Sequence, residues 1–219
     1  MFVHTTENHS WLRARWQALM TRLGAHRSEA DATWDNLVRH YSEAHRAYHN
    51  LSHIMALLRQ ADSERVHVTR PDVIELAIWF HDVIYDTHAR DNELRSATWA
   101  RHAMTAMGIE PEVIKGVEQC ILATEKHELP SPHIADLPLF LDLDLAILGA
   151  SEESYRRYAQ VIRAEYDWVP EQEYRSGRAA VLKRLIERPA LYRTPEMAER
   201  YEARARRNIA WELQELGVT

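Results

Sequence analysis

The sequence predicts an all-α protein that forms a single domain. Glycine and proline, which interrupt helices, number only 6 and 8 in 219 residues. Few segments alternate apolar and polar residues as a half-buried strand would, whereas apolar residues recur at helical spacing along most of the chain. We therefore expect about nine helices within residues 1–219, with a core at about 28–149 and a C-terminal helical extension at 150–219.

The first three helices are predicted from their apolar faces and their start and stop signals. In "SWLRARWQALMTRLG" the apolar residues share one face, and Gly24 is expected to end the helix. In "SEADATWDNLVRHY" Ser28 and Asp31 form a start similar to a capping box. A third helix carries Ile54 and Leu57 on its apolar face.

Prolines and capping residues mark the next three helices. Pro71 suits the first turn of a fourth helix, which contains the stretch "LAIWFHDVIYD". The fifth helix is expected to begin at a capping Asp91 or Asn92 and to end at Gly108. Pro111 then begins the sixth helix.

The C-terminal third is predicted to be helical as well. A loop rich in proline leads into "LFLDLDLAILGA", whose apolar composition predicts a short buried helix. Three further helical patterns cover about residues 151–168, 171–188 and 195–216. No internal repeat or flexible linker is evident in the sequence.

Composition excludes several classes of function. The net charge is −6 and there is no long basic run, which argues against general nucleic-acid binding. Cys120 is the only cysteine, which fits a reducing compartment and excludes a cysteine-based zinc site. The chain begins without a secretory pattern, and no apolar run is long enough to cross a membrane. We expect a cytoplasmic protein without a membrane partner. Its seven tryptophans can fill the core or an interface between copies, so a homo-oligomer stays open.

The pair His81-Asp82 interrupts a strongly apolar stretch. With 13 histidines in the chain, one such dipeptide is expected by chance, so its surroundings carry the inference. The apolar residues on both sides predict a helix that is buried nearly all the way round. A buried carboxylate is costly unless it is paired or binds a metal, so Asp82 needs a partner. The imidazole of His81 can supply a second ligand to a cation.

Two carboxylates interrupt a second apolar run. In "LFLDLDLAILG" the same cost applies to Asp142 and Asp144. Asp142 is the natural helix N-cap, which leaves Asp144 as the buried carboxylate that needs another partner. The sequence does not decide with certainty which of the two is a ligand.

Three histidines follow one another at steps of four in "AHRAYHNLSHI". His45, His49 and His53 would share one face if a single helix spanned them. We expect His45 to lie on the surface. His49 is a candidate for substrate binding, with a surface role left open. His53 precedes Leu57 by one turn and is therefore expected to face the core.

Taken together, these features resemble the HD-domain superfamily of metal-dependent phosphohydrolases. The order is His53, then His81-Asp82 after 28 residues, then Asp144 after 62 more. From about Tyr48 to Leu213 longer pieces are similar to a bacterial branch of that superfamily. These pieces are "YHNLSHI", "FHDVIYD", "DNELRSA", "FLDLDLAILG", "IRAEY" and "RARRNIAWEL".

The resemblance implies an HD-domain-like helical domain with one divalent metal ion, held by His53, His81, Asp82 and Asp144. Two imidazoles and two carboxylates form a mixed nitrogen and oxygen set that suits Mn, Fe, Co, Ni, Mg or Zn. The implied reaction is hydrolysis of a phosphate ester or pyrophosphate of a small phosphorylated substrate, a nucleotide, by metal-activated water. A second metal ion is compatible with the resemblance.

Three more residues are candidate catalytic groups. Asp86 lies four residues after Asp82, where related hydrolases place an acidic residue that orients or deprotonates the water. Glu93 lies on the predicted inner face of its helix, whereas His102, nine residues later, points about half a turn away. His127 follows an apolar helix and could bind phosphate or a second metal. A solvated carboxylate is the alternative for Asp86.

Candidates for phosphate contacts lie in the C-terminal helices. They are Arg163, Arg178 and Lys183, although charged residues on such helices commonly form solvated faces. Tyr155, Tyr158 and Tyr166 are expected to be packing residues. Cys120 lies in an apolar helix and is expected in the core rather than at a nucleophilic site.

Two other functions remain open at this point. Some HD-fold proteins hold two irons and oxidise their substrate with dioxygen, using two additional histidines between the His-Asp pair and the last Asp. His102 and His127 have a suitable spacing, but the helical wheel turns His102 away. The third reading is a non-catalytic sensor that binds a nucleotide and retains the fold.

Overall fold

The computed structural model describes residues 5–64 and 68–217, and within these ranges the chain is helical. The described residues form ten α-helices and one 3₁₀ turn and contain no strand. The predicted all-α class is confirmed, with ten α-helices where about nine were expected. The helices are α1 (Thr6–Arg22), α2 (Arg27–Tyr41), α3 (Leu51–Ser63), α4 (Pro71–Phe80), α5 (Asn92–Ala106), α6 (Pro111–Ala123), α7 (Leu137–Asp144), α8 (Glu152–Glu165), α9 (Glu171–Ile186) and α10 (Pro195–Glu215).

The chain divides into two compact units, and the boundary lies between residues 137 and 138. The first unit carries α1 to α6. The second carries α8 to α10 together with the 3₁₀ turn Leu145–Gly149, and α7 begins at the boundary. The division expected from the sequence, a core to residue 149 and an extension from 150, stays a prediction. None of the described helices has the length and apolar character needed to cross a membrane.

Helix α4 forms the centre of the first unit. Every residue from Val73 to Phe80 is buried, and the helix packs against α3, α5 and α6. The indole of Trp79 meets the rings of Trp16 and Trp34 edge to face, with centroids 5.6 and 5.9 Å apart. The one charged residue in this stretch, Glu75, is paired with arginines of α1. The apolar content of α4 therefore places it in the core, as predicted.

Several predicted helix boundaries are confirmed by the backbone. Gly24 and Gly108 follow α1 and α5 with φ of 63° and 76°, a left-handed conformation that glycine adopts without a steric penalty. At both ends the next amide bonds back to a carbonyl of the last turn, Ala25 to Met20 and Ile109 to Met104, as in a Schellman motif. The predicted proline starts are also observed, since α4 and α6 begin at their prolines.

The predicted start of the second helix is wrong. Helix α2 begins at Arg27 after His26, and no side chain caps it. The carboxylate of Asp31 instead accepts a hydrogen bond from Arg13 of α1, at 2.9 Å. At α5 the expected position is correct, because Asp91 is the N-cap residue, but its side chain makes no capping hydrogen bond.

In the second unit α10 packs closely on the 3₁₀ turn. Asn208 donates to the carbonyls of Leu148 and Ala150, at 2.7 and 3.0 Å, and Arg204 donates to that of Gly149, at 2.8 Å. A 3₁₀ turn leaves carbonyls without a helical partner, and α10 supplies those donors from its side chains. The turn is therefore held by α10.

The close approach of α10 to Gly149 generates a stability prediction. A Cβ atom at position 149 would lie 2.5 Å from Cβ of Tyr201 and 2.9 Å from its carbonyl oxygen. We expect Gly149→Ala to lower the free energy of unfolding by about 1–3 kcal/mol through overpacking.

Gly177 in α9 is the matched control, because a Cβ atom there would meet nothing within 4 Å. Gly177→Ala is expected to raise the free energy of unfolding by about 0.5–1 kcal/mol, since alanine favours the helix. Urea titrations of both variants give the comparison. Equal effects at the two positions would contradict this account of Gly149.

Candidate metal centre

His53 enters the site from the first turn of α3. This helix begins after Asn50, whose side-chain oxygen accepts a hydrogen bond from the amide of Ser52 at 2.8 Å. His53 is 5 % exposed, so it faces the interior as predicted. The condition for a shared face of His45, His49 and His53 is not met, because α3 starts at Leu51 and no single helix spans the three residues.

The His81-Asp82 pair lies just after a helix, not inside one as predicted. Helix α4 ends at Phe80, and His81 is its C-cap residue. The helix can stop there because other groups take its last carbonyls. The hydroxyl of Tyr41 donates to the carbonyl of Trp79, at 3.0 Å. His81 and Asp82 therefore project from a helix end.

The tautomer of His81 follows from one hydrogen bond. Its Nδ1 lies 3.0 Å from the carbonyl oxygen of Ile78, and a carbonyl can only accept, so Nδ1 carries the hydrogen. In the neutral ring Nε2 then presents a lone pair. A carbonyl that orients the ring in this way is the usual arrangement behind a metal-ligating histidine.

Three ligand atoms face one another at this point. Nε2 of His81 lies 3.2 Å from Nε2 of His53 and 3.0 Å from Oδ2 of Asp82, and the last two atoms are 3.8 Å apart. Two ligand atoms that each lie about 2.1 Å from one ion, and whose bonds to it are roughly at right angles, are about 3.0 Å apart. His53, His81 and Asp82 thus form a group that could hold a metal ion.

The burial of these ligands differs from the expectation in one respect. The side chains of His53 and His81 are 4 % and 1 % exposed, but that of Asp82 is 21 % exposed. Asp82 is therefore not sealed in the core as the apolar sequence suggested. At the end of α4 part of the Asp82 side chain is in contact with solvent.

Asp142 and Asp144 lie in the second unit and have different surroundings. Asp142 is fully buried and accepts hydrogen bonds from the amides of Arg193 and Thr194, at 2.9 and 2.7 Å, and from the Thr194 hydroxyl at 2.8 Å. It holds the residues just before α10 and does not cap its own helix as predicted. Burial raises the pKa of this carboxyl even so. Asp144 is half-buried rather than buried, and its part as a metal ligand stays a prediction.

The reason for choosing Asp86 does not hold. Because α4 ends at Phe80, Asp82 and Asp86 are not one helical turn apart. The Asp86 side chain is 48 % exposed and accepts a hydrogen bond from the amide of His88 at 2.9 Å, which lowers the pKa of its carboxyl. A depressed pKa makes Asp86 a weaker proton acceptor. Its catalytic role stays a prediction.

Glu93 lies where the helical wheel placed it. It lies half-buried in the first turn of α5, on the side of the buried Ala97, and His102 on the same helix is exposed as predicted. Burial raises the pKa of the Glu93 carboxyl, and the charges of Asp82 and Glu125 raise it further, whereas His127 lowers it. Glu93 is therefore electrostatically coupled to Asp82.

His127 ends the turn after α6 with a φ of 49°, a left-handed conformation in which histidine is one of the more tolerated residues. It is half-buried, and its charge acts on Glu93. His127 therefore lies within electrostatic reach of Glu93. Its binding of phosphate or of a second metal stays a prediction.

His49 belongs to a group of rings beside His53. It stacks on Tyr85 with centroids 4.2 Å apart and meets the ring of His53 at 5.8 Å. Tyr48 contacts both imidazoles, at 5.0 and 4.9 Å. His45 is exposed as expected, and its Nε2 donates to the carbonyl of Tyr85 at 2.8 Å. His49 is thus a half-buried neighbour of the ligand group.

The predicted phosphate-binding arginines of the second unit have structural partners. Arg163 donates to the carbonyls of Tyr166 and Val169, the latter at 3.1 Å, and so caps the end of α8. Arg178 forms two hydrogen bonds to buried Glu212, at 2.7 and 3.1 Å. Both guanidinium groups are engaged within their own unit. Lys183 is half-buried on α9, and all three phosphate contacts stay predictions.

Three expected packing roles agree with the structure. Tyr155 is fully buried, and its hydroxyl donates to Glu212. Tyr158 and Tyr166 each lie against another tyrosine ring. Cys120 is buried in α6 as expected, and burial raises the pKa of its thiol, which disfavours the nucleophilic thiolate.

Sequence reasoning missed two residues near the ligand group. One is Glu125, whose charge acts on Glu93 from the turn after α6. The other is Arg46, which is buried and donates to the carbonyls of Asp82 and Val83. No periodicity indicates either residue, because both lie outside helices, where contacts depend on how the chain folds back.

The ligand geometry predicts binding of one divalent ion per chain. Adding Mn²⁺ to metal-free protein at about 100 times its dissociation constant should raise the free energy of unfolding by about 2.7 kcal/mol. His81→Ala should abolish this stabilisation, whereas His102→Ala, which removes an exposed imidazole, should retain it. Denaturant titrations with and without Mn²⁺ provide the measurement. Equal stabilisation of His81→Ala would contradict the site.

The pKa of Glu93 predicts a pH-dependent effect in the metal-free protein. Because the folded chain raises this pKa above its ordinary 4.5, ionisation of Glu93 costs stability as the pH rises past that value. At pH 7 we expect the free energy of unfolding of Glu93→Gln to exceed that of the wild type by less than about 1 kcal/mol, because the group is only half-buried. Urea titrations measure the difference. The advantage should shrink below pH 4.5. A variant that is less stable at pH 7 would contradict this reasoning.

Comparison with known proteins identifies no family for this chain. The chain matches no family model, no curated protein and no solved structure. The candidate site consists of two imidazole nitrogens and one carboxylate oxygen that lie within 4.8 Å of one another.

Proposed function

We propose that this protein is a metal-dependent hydrolase of a phosphate ester or pyrophosphate, with a nucleotide as substrate. The observation that carries the proposal is the hydrogen bond from His81 Nδ1 to the carbonyl of Ile78, which directs Nε2 of the same ring toward Nε2 of His53 and Oδ2 of Asp82. The choice of phosphate chemistry and of a nucleotide rests on the resemblance of the sequence motifs to the HD-domain superfamily.

The donor set suits this type of reaction. Two imidazoles and a carboxylate accept borderline and hard divalent ions. When bound, such an ion polarises a phosphoryl oxygen and makes water a better nucleophile at neutral pH. The partly exposed side of Asp82 provides the opening that a substrate needs.

Water is the nucleophile that best fits the residues around the site. The buried thiol of Cys120 has a raised pKa and is a poor nucleophile. Glu93 is the stronger candidate for the group that accepts the proton of the water, because a raised pKa improves a carboxylate as a base near neutral pH. Asp86, with its lowered pKa, is the weaker candidate.

The test is turnover by metal-free protein with and without Mn²⁺, using a panel of nucleotides and a chromogenic phosphodiester. We expect phosphate or nitrophenol release that requires Mn²⁺. Asp82→Ala and His53→Ala should lose it, because each removes a ligand. His102→Ala is the matched control and should retain it, since this imidazole is exposed on α5. Equal turnover by Asp82→Ala and the wild type would refute the proposal.

Glu93→Gln separates proton transfer from metal binding. The amide keeps the size of the side chain but cannot accept the proton, so we expect kcat to fall by about 10²–10⁴-fold with Mn²⁺ binding retained. Nucleotide binding without turnover by the wild type would instead indicate the sensor function. Two irons per chain after anaerobic purification would indicate the oxygenase function.

A further inference from the structure

Arg46 is a buried cation that contacts two chain segments beside the candidate metal ligands, the turn after α4 and the segment before α3. Its side chain is fully buried, and four hydrogen bonds engage it. Nη1 donates to the carbonyls of Asp82 and His49, at 2.6 and 3.1 Å, Nη2 to that of Val83, at 2.9 Å, and Nε to the carboxylate of Glu43, at 2.9 Å. Three of these four acceptors are main-chain carbonyls.

The surroundings of the guanidinium exclude water. It lies over the rings of Tyr41 and Tyr85, at 5.1 and 5.5 Å from their centroids. Its carboxylate partner, Glu43, is itself 36 % exposed. Burying a cation is costly, and the cost is offset only if the donors find well-placed acceptors. The carbonyls that Arg46 contacts are therefore fixed in position by it.

Those carbonyls belong to the residues that place the ligands. One is the carbonyl of Asp82, a ligand residue that follows His81. Another is the carbonyl of His49, next to Asn50, the residue that caps α3 and so sets the start of the helix that carries His53. The guanidinium thus joins the turn after α4 to the segment before α3.

We propose that Arg46 is a positioning residue that holds Asp82 and the start of α3 at the separation required for metal binding, without touching the ion. The inference rests on the proposed function, because it takes His53, His81 and Asp82 as the ligands. Arginine suits this role because its planar group presents five N–H donors in fixed directions. The ammonium group of lysine cannot reproduce that fork.

The experiment measures the dissociation constant for Mn²⁺ by calorimetry, on full-length protein at a temperature where circular dichroism shows each variant to be folded. We expect Arg46→Met to weaken Mn²⁺ binding about 10- to 100-fold, the usual loss when a group that supports a ligand is removed. Arg46→Lys keeps the charge and should weaken binding by a smaller factor. This variant keeps the test intact if the methionine variant does not fold.

Arg15 provides the matched control. It is a second partly buried arginine of the same unit, paired with buried Glu75 in α4 and with Asp62 at 2.8 Å. Arg15→Met should lower the free energy of unfolding, because it removes one partner of a buried carboxylate. Its Mn²⁺ dissociation constant should stay within twofold of the wild type, since its partners Asp62 and Glu75 lie away from the ends of α3 and α4 where the proposed ligands are found. A purely structural role for Arg46 would give the same pattern at both positions.

The outcomes separate this inference from the proposed function. An unchanged dissociation constant in both Arg46 variants, with Mn²⁺ binding lost in Asp82→Ala, would overturn the positioning role and leave the metal centre intact. Absence of Mn²⁺ binding by the wild type would overturn both. Weakened binding in the Arg46 variants together with unchanged binding in Arg15→Met would support the inference.

Discussion

The hydrogen bond between His81 Nδ1 and the carbonyl of Ile78 is the interaction on which the candidate metal centre depends. At 3.0 Å it fixes both the orientation of the ring and the nitrogen that carries the hydrogen. If the ring were turned over, the atom facing His53 and Asp82 would change, and their separations of 3.2 and 3.0 Å would lose their meaning. The acceptor is a backbone carbonyl of the last turn of α4, so a ligand of the site is held by the helix itself.

The end of α4 shows why an apolar helix can deliver polar ligands. Its last turn leaves carbonyls that need donors, and in a core with little water these donors must come from the protein. Tyr41 supplies one, the ring of His81 another, and Arg46 bonds to the carbonyls of the turn that follows. The groups that terminate the helix and the groups that could bind the ion are therefore partly the same, and stability and function are coupled at this point.

The two aspartates of the apolar run "LFLDLDLAILG" show how tertiary contacts decide the use of a carboxylate. Asp142 is fully buried and is satisfied by two backbone amides and a hydroxyl at the start of α10. Asp144, two residues later, is half-buried. The same residue type in one short helix thus binds backbone amides at one position and is a candidate ligand at the other. Arg178 shows the same dependence on tertiary contacts, because its guanidinium group forms two hydrogen bonds to the buried carboxylate of Glu212.

The sequence by itself determined the helical class, because helical periodicity and the scarcity of glycine can be read directly from the order of the residues. It also determined the helix ends at Gly24 and Gly108, where the backbone needs a residue in the left-handed conformation. It also selected the pair His81-Asp82, since polar residues inside an apolar run are costly without a partner, and His53, which precedes the apolar Leu57 by one helical turn. Only the tertiary structure decided that α4 stops before His81 and that Arg46 bonds to the carbonyl of Asp82. These features depend on side chains that meet across 36 to 38 residues of chain, and local patterns contain no information about such contacts.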